Sequence, residues 1–415
     1  MRSCLRYAAC ASLHVLRCPA KLSMVIYLDN AATTPLFPEV IDLLHKLNQE
    51  LFANPSSIHS QRRKAKKQLE KARQELAEIL KADAEELFFT SGATESNNTI
   101  FKLLNYDLII TSPAEHASVI ESAKSLAKPI LWLSLDKEGF IDLDELEKYL
   151  EQNSAKKILV SVMHGNNEIG TINDIAVIAK ITKKFSNVFF HSDCVQTFTK
   201  LEIDLSKLEI DFISASAHKI HGPKGLGLLY INKKIQEKFS LQLRPLIIGG
   251  SQEKDIRSGT ENLLSIIAFA LAAKLNSESS RKNKIKELQE SLFASLNKIE
   301  NLVINGPKDL NKRVPGSLNF ALSNCKLKSE EMVLQLDLKG FAVSSGSACT
   351  SNKTMDAAEI ESSYVLRACA IPEAIATKAI RISLSSLNSE REIESFIDAL
   401  KLISAKFALK PIELV

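Results

Sequence analysis

Short apolar runs alternate with segments of helical period from Leu87 to Tyr230, and this alternation restricts the fold more than any other feature of the 415-residue chain. Leu87–Thr90, Asp107–Thr111, Ile130–Leu133, Lys157–Met163, Val188–His191, Phe212–Ser214 and Gly227–Tyr230 read as strands. Helices are expected over Ser60–Leu80, from the Ser91–Ser96 turn toward Leu104, and over Ala117–Ala127, Asp142–Gln152 and Ile175–Phe185. In the first of these, Ala65, Leu69, Ala72, Leu76 and Ile79 share one face. A β-α-β-α order builds an α/β fold whose mostly parallel seven-stranded sheet is covered by helices on both faces. Ligands of such sheets bind at the carboxyl ends of the strands. The residues just past each strand are therefore the candidate site.

After about residue 277 the pattern changes. A charged helix over Glu278–Leu296, strand-like Leu302–Asn305 and Gly316–Ala321, and helical Glu330–Lys339 and Glu390–Phe407 form a smaller α+β region. The composition, 45% apolar and 25% charged, is that of a folded globular chain. Leu263–Leu275 is the longest apolar stretch and holds Ser265 and Lys274. It is shorter than the roughly 18–20 residues that span a bilayer, so it reads as a buried helix, and no membrane contact is expected. The net charge of +4 resides wholly in residues 1–23, which carry Arg2, Arg6, Arg17 and Lys21 and no acid. The balanced remainder offers no nucleic-acid surface.

Residues 1–23 also hold Cys4, Cys10 and Cys18. They read either as an extension ahead of a start at Met24, which makes the protein cytoplasmic, or as a basic, acid-free transit peptide, which makes it mitochondrial. The other cysteines, Cys194, Cys325, Cys349 and Cys369, are too sparse for a disulfide framework. No Cys or His spacing suits zinc, so no metal site is expected.

Several post-strand segments carry chemistry. Ser91-Gly92-Ala93-Thr94 opens a helix, where backbone N–H groups and a hydroxyl suit a phosphate; a plain helix cap looks the same. Asp193 follows an apolar strand, placed to face a cationic ring nitrogen or to cap the next turn. In Ser214–Gly225, Lys219 stands among Ser216, His218 and a Gly-Pro turn, unlike a solvated surface lysine. A lysine desolvated beside other cations forms Schiff bases readily. Cys349 sits in the small, polar Ser344–Ser351 segment, whereas Cys194, Cys325 and Cys369 look like packing residues. Arg257, in a Gly-containing turn, and Arg381, within a strand-like run, suit carboxylate or phosphate recognition, or a salt bridge.

Together, these segments resemble a cysteine desulfurase of the NifS/IscS type, in the class V aminotransferase branch of the fold-type I pyridoxal-phosphate enzymes. The resemblance runs in order from Tyr27 to about Ser386. It includes Tyr27–Pro35, Asn54–His59, Thr90–Asn97, Glu115-His116, Met163–Gly170, Ser216–Lys219, Arg257–Thr260, Ser344–Cys349 and Ser363–Arg367. It implies a large cofactor domain over 36–277 and a small domain over 24–35 and 278–415. It makes pyridoxal 5'-phosphate the cofactor, Lys219 its Schiff-base lysine, Asp193 the partner of its ring nitrogen and His116 the stacking, proton-relaying ring. Gln196 and Asn167 resemble the groups on the ring's phenolic oxygen, and Ala93, Thr94, Ser216 and His218 the phosphate shell. Thr260 resembles the residue that reaches the phosphate from a second subunit, implying a homodimer. Asn167 and Arg381 resemble the clamp on the substrate carboxylate, and Cys349 the nucleophile. The implied reaction turns L-cysteine into L-alanine and a Cys349 persulfide. The sulfur then passes to an acceptor protein, foremost an iron–sulfur scaffold.

Three departures stand out. Asn352–Glu361 looks like an insertion where an acceptor would dock, Cys194 replaces a usual small Ala, and Val415 falls short of the tail that housekeeping relatives use to bind the scaffold, which points to a NifS-like subgroup or a different docking mode. Other class V aminotransferases would share Lys219 and Asp193 but have no use for Ser344–Cys349. A selenocysteine lyase would share both, and a non-catalytic sulfur-carrier scaffold would need neither Lys219, Asp193 nor His116.

Overall fold

The computed structural model describes residues 25–57, 59–346 and 362–409. Its twelve strands in chain order are β1 (Ile26–Tyr27), β2 (Leu87–Thr90), β3 (Leu108–Thr111), β4 (Ile130–Trp132), β5 (Ile158–Ser161), β6 (Val188–Asp193), β7 (Phe212–Ser216), β8 (Gly227–Ile231), β9 (Leu302–Asn305), β10 (Ser317–Leu322), β11 (Phe341–Ala342) and β12 (Ala379–Ser383). Seven of them form one sheet in the order β2-β8-β7-β6-β5-β3-β4. β8 runs antiparallel to both its neighbours and every other pair is parallel. This is the expected α/β sheet, and it aligns the carboxyl ends of β2, β3, β5, β6 and β7 on one edge.

Side chains alternate across this sheet with a period of two. Ile110, Ile158, Val160, Phe190, Ile213 and Tyr230 face one layer, which contains the Ser60–Leu80 and Leu263–Asn276 helices. Phe88, Ile109, Leu159, Phe189, Phe212 and Leu229 face the other, packed on the Ala93–Leu103 and Ala117–Ser125 helices. The apolar stretch at Leu263 is thus a buried helix, and no helix among the described residues is long and apolar enough to cross a membrane. On the Ser60–Leu80 helix the buried face includes Ala77 and Leu80, while Ile79 is only partly buried. Arg73 joins that face because it meets an acid, Glu253.

The second sheet, β12-β10-β9, is antiparallel and packs on the Ser279–Leu296 and Glu390–Lys406 helices through Leu288, Leu292, Phe320, Ile380, Ile382, Phe396 and Leu400. Beside it, β1 and β11 form a short parallel pair. Neither of these strands, nor the Pro38–Glu50 and Lys233–Phe239 helices, is among the elements expected from the sequence. Residues 28–35 form a strap between the two sheets. It starts on the small sheet, where Leu28 and Asn30 bond Ala342 and Ser383, and ends on the large one, where the Thr34 N–H donates to His218.

Candidate active site

The aligned strand ends open onto a cavity of about 470 Å³ that the strap closes on one side. Two of the positions that build it need glycine or a capped helix end. A Cβ on Gly227 would stand 2.5 Å from the Gly92 carbonyl carbon, so only glycine lets β8 begin against the turn after β2. That turn leads into the Ala93–Leu103 helix, whose first N–H groups have no partner within the helix. Ala93 and Thr94 line the cavity there, together with Ser216, His218 and Lys224. With Glu95, which pairs with Arg257, they line the end of the cavity at this helix N-terminus.

Asp193 is the last residue of β6 and is 4% exposed. β6 runs two residues beyond the expected His191, because Ser192 and Asp193 find buried partners. The Ser192 hydroxyl donates to Val162 O, and Asp193 accepts from Asn97 Nδ2 at 2.9 Å and from Val195 N at 3.0 Å. Both donors are neutral, so the buried carboxylate has no counter-charge among these bonds. Lys219 follows β7, and its Nζ donates to the strap carbonyls of Ala31 and Ala32 at 2.6 and 2.7 Å. Gln196 Nε2 also donates to Ala31 O.

His116 caps the Ala117–Ser125 helix. Its Nδ1 accepts the Ser118 N–H at 3.2 Å, which leaves Nε2 to carry the ring proton. His218 pairs with Thr33 through Nδ1 at 3.1 Å, and burial followed by the charges of Lys219 and Lys224 pulls its pKa down to about 4. It is a neutral imidazole at pH 7. Arg381, on β12, is 1% exposed and reaches the cavity from the small sheet. Its Nη1 donates to Asn167 O at 2.9 Å, while its Nε and the Asn167 Oδ1 are buried without a partner.

The cavity thus gathers Ala93, Thr94, His116, Asn167, Asp193, Gln196, Ser216, His218, Lys219 and Arg381 from the sequence expectations. Thr260 is exposed and lies outside the cavity of its own chain. Arg257 does make the salt bridge left open above, 3.0 Å from Glu95. Cys349 and the Asn352–Glu361 insertion lie outside the described residues. Cys194, Cys325 and Cys369 are buried packing thiols, and burial pushes Cys194 and Cys369 up, the latter to about 12.

Two cavity-side residues had no role in the sequence. Asn97 orients Asp193 while its Oδ1 accepts from Ser214. Glu115, fully buried, accepts the Met163 N–H at 2.7 Å through Oε1 and leaves Oε2 without a partner. Burial holds its carboxyl well above the usual carboxylate range, as does the nearby Asp193 charge. Its place before His116 was the available signal.

A flat, phosphorylated, cationic ring fits this donor set. The helix N-terminus with Thr94, Ser216 and Lys224 would take a phosphate, Asp193 a protonated ring nitrogen and Lys219 a carbonyl carbon. The unsatisfied Asn167 Oδ1 and Arg381 Nε still call for polar partners.

Comparison with known proteins agrees with this geometry. The aminotransferase class-V family matches residues 26–396. A protein named cysteine desulfurase IscS from Dictyoglomus turgidum is 39% identical over 393 residues, covering 92% of this chain and 95% of that one. A solved structure named NifS-like protein superposes with a TM-score of 0.82 at 34% identity, over 92% of this chain and all of that one. Another, titled SspA in complex with cysteine, gives 0.72 at 30% identity, over 88% of this chain and all of that one.

Proposed function

The chain belongs to the aminotransferase class-V family, and from that premise we propose that it is a cysteine desulfurase dependent on pyridoxal phosphate. It converts L-cysteine into L-alanine and a persulfide on Cys349, and it delivers that sulfur to an acceptor protein, foremost an iron–sulfur scaffold. The observation that carries this reading is the convergence of Asp193, Lys219, His116 and Arg381 on one cavity at the sheet's carboxyl edge. It is supported by relatives of that name along nearly the whole chain.

Pyridoxal phosphate, when bound, supplies an electron sink that lets bonds at the amino-acid Cα and Cβ be broken. The first turn of the Ala93–Leu103 helix, with Thr94, Ser216 and His218, holds its phosphate. Asp193, held by Asn97 Nδ2 and the Val195 N–H, would face its ring nitrogen and keep the proton there. Gln196 and Asn167 flank the ring's oxygen side. Lys219 Nζ would anchor the cofactor and serve as a proton carrier, and His116 Nε2 would be the second. The Arg381 guanidinium and the Asn167 amide, both lining the cavity, would bind the substrate carboxylate.

Cys349 takes the sulfur: its thiolate forms the S–S bond as the substrate C–S bond breaks, and Cβ takes up a proton. Enzyme thiol plus cysteine thus balances persulfide plus alanine, with no external oxidant. The three described cysteines are buried and unsuited to this step, which favours Cys349. Exposed Thr260 serves a second copy's phosphate, making the working unit a homodimer. A reducing, cytoplasmic setting suits the free thiols.

The test is to supply the purified protein with pyridoxal phosphate, L-cysteine and a thiol reductant. Sulfide and alanine should appear in equal amounts. Alanine formed without sulfide, or neither product, would refute the assignment.

A further inference from the structure

The contacts of Arg381 are uneven. Nη1 holds Asn167 O, Nη2 donates to Asp29 Oδ1 at 2.6 Å, and Nε–H has no partner. Arg381 lines the cavity and Asp29 does not, so the acid stands behind the guanidinium rather than in the substrate's path. The ion pair is nearly dry, with the two side chains 2% and 17% exposed. Its main chain is fixed on both sides. Arg381 exchanges backbone bonds with Ser344, while Asp29 bridges to Ser383 and its carbonyl accepts from Ala32 N and from the Tyr27 hydroxyl. Burial, then the Asp29 charge, pushes the half-buried Tyr27 phenol up to about 12, against the opposing charge of Arg381.

We infer that Asp29 is a positioning residue that also sets how weakly Arg381 holds an amino-acid carboxylate. The inference rests on the reading of Arg381 as the substrate clamp. A dry, uncompensated guanidinium would grip every carboxylate strongly. L-cysteine and L-alanine carry the same carboxylate, so the product would be gripped as firmly as the substrate. Asp29 fixes the guanidinium through Nη2 and leaves the N–H groups not bonded to Asp29 or to Asn167 O for the ligand. It also cancels much of the cation's field and repels a second carboxylate on the same guanidinium. Two like charges sharing one arginine, at the effective dielectric constants of partly buried sites, weaken binding by roughly tenfold. The strap thereby tunes release of alanine from the same segment that contacts Lys219.

The experiment compares the holoenzyme with Asp29→Asn, Asp29→Ala and Arg381→Ala. L-alanine binding is followed by calorimetry, and KM and kcat are measured with L-cysteine. Asp29→Asn keeps an oxygen for Nη2 and loses the charge. It should bind L-alanine roughly tenfold tighter and lower KM without raising kcat. Asp29→Ala also frees the guanidinium and should bind L-alanine more weakly than Asp29→Asn. A merely structural Asp29 would instead lower affinity and melting temperature together in both variants. Wild-type or weaker L-alanine affinity in Asp29→Asn overturns the inference. Unchanged L-alanine affinity in Arg381→Ala would sink the clamp reading itself, which a failure at Asp29 alone would leave standing.

Discussion

Replacing Asp193 by Asn alters one heavy atom, yet the surrounding bonds make it costly in two separable ways. Each carboxylate oxygen accepts one donor, Oδ2 from the buried Asn97 and Oδ1 from the part-buried Val195 N. An asparagine offers a single acceptor, so its NH₂ must face one of those donors. Turning Asn97 over does not help, because its own Oδ1 accepts from Ser214. One of these donors loses its partner either way, at about 1–3 kcal/mol. For a chain of this size that lowers the melting temperature by about 1–4 °C. The second cost is chemical. Without the carboxylate charge the ring nitrogen of the cofactor loses its proton holder, and turnover falls by on the order of 10²-fold or more. Steady-state alanine formation, cofactor absorbance and a thermal melt read these costs separately. Cofactor should remain bound. Turnover near that of the wild type would refute the role given to Asp193, and an unchanged melt would refute the hydrogen-bond accounting.

Cys349→Ser should still bind pyridoxal phosphate and respond spectrally to L-cysteine, but release no sulfide and carry no persulfide by mass spectrometry; full activity would move the nucleophile elsewhere. Lys219→Ala should lose turnover and the borohydride-reducible bond to cofactor, and retention of that bond would contradict its assignment. Glu253 accepts two of the four Arg73 guanidinium bonds, the others going to Glu70 and Leu87 O, and also the Phe89 N–H. Glu253→Ala should therefore cost about 3–5 kcal/mol by removing the buried acid that faces Arg73 and leaving a buried donor, a melting shift of about 3–6 °C; a shift under a degree would show the pair to be dispensable. Burial lowers the pKa of His164, His218 and His221 to about 4 and that of His191 to about 3, so the folded state resists protons that the unfolded chain takes up near pH 6.5. Their contribution to stability is complete above pH 6.5 and is lost as the pH falls toward 4. Melting temperature should decline steadily across that window, and a flat profile would show the four rings to be exposed.

The sheet was legible because its strands are buried on both faces and read as continuous apolar runs. What escaped depended on partners distant in sequence. β1 and β11 are two residues each and pair across more than three hundred positions, too short for any period to register. β6 seemed to stop at His191 because Ser192 and Asp193 are polar, and only Val162 O, Asn97 and Val195 make their burial affordable. Asn97 and Glu115 were silent for the same reason, since an amide or an acid takes its role from the group it faces. The site residues were visible where a motif joined them to a strand end, as at Lys219 and Thr94. Arg381 shows where such reading stops. Its sequence context posed carboxylate recognition and a salt bridge as alternatives, yet a guanidinium has five N–H groups and need not choose. Nη2 is committed to Asp29 and Nη1 to Asn167 O, while Nε stays unengaged. The salt bridge is what aims and attenuates the recognition, and that coupling exists only once the strap and β12 have been folded side by side.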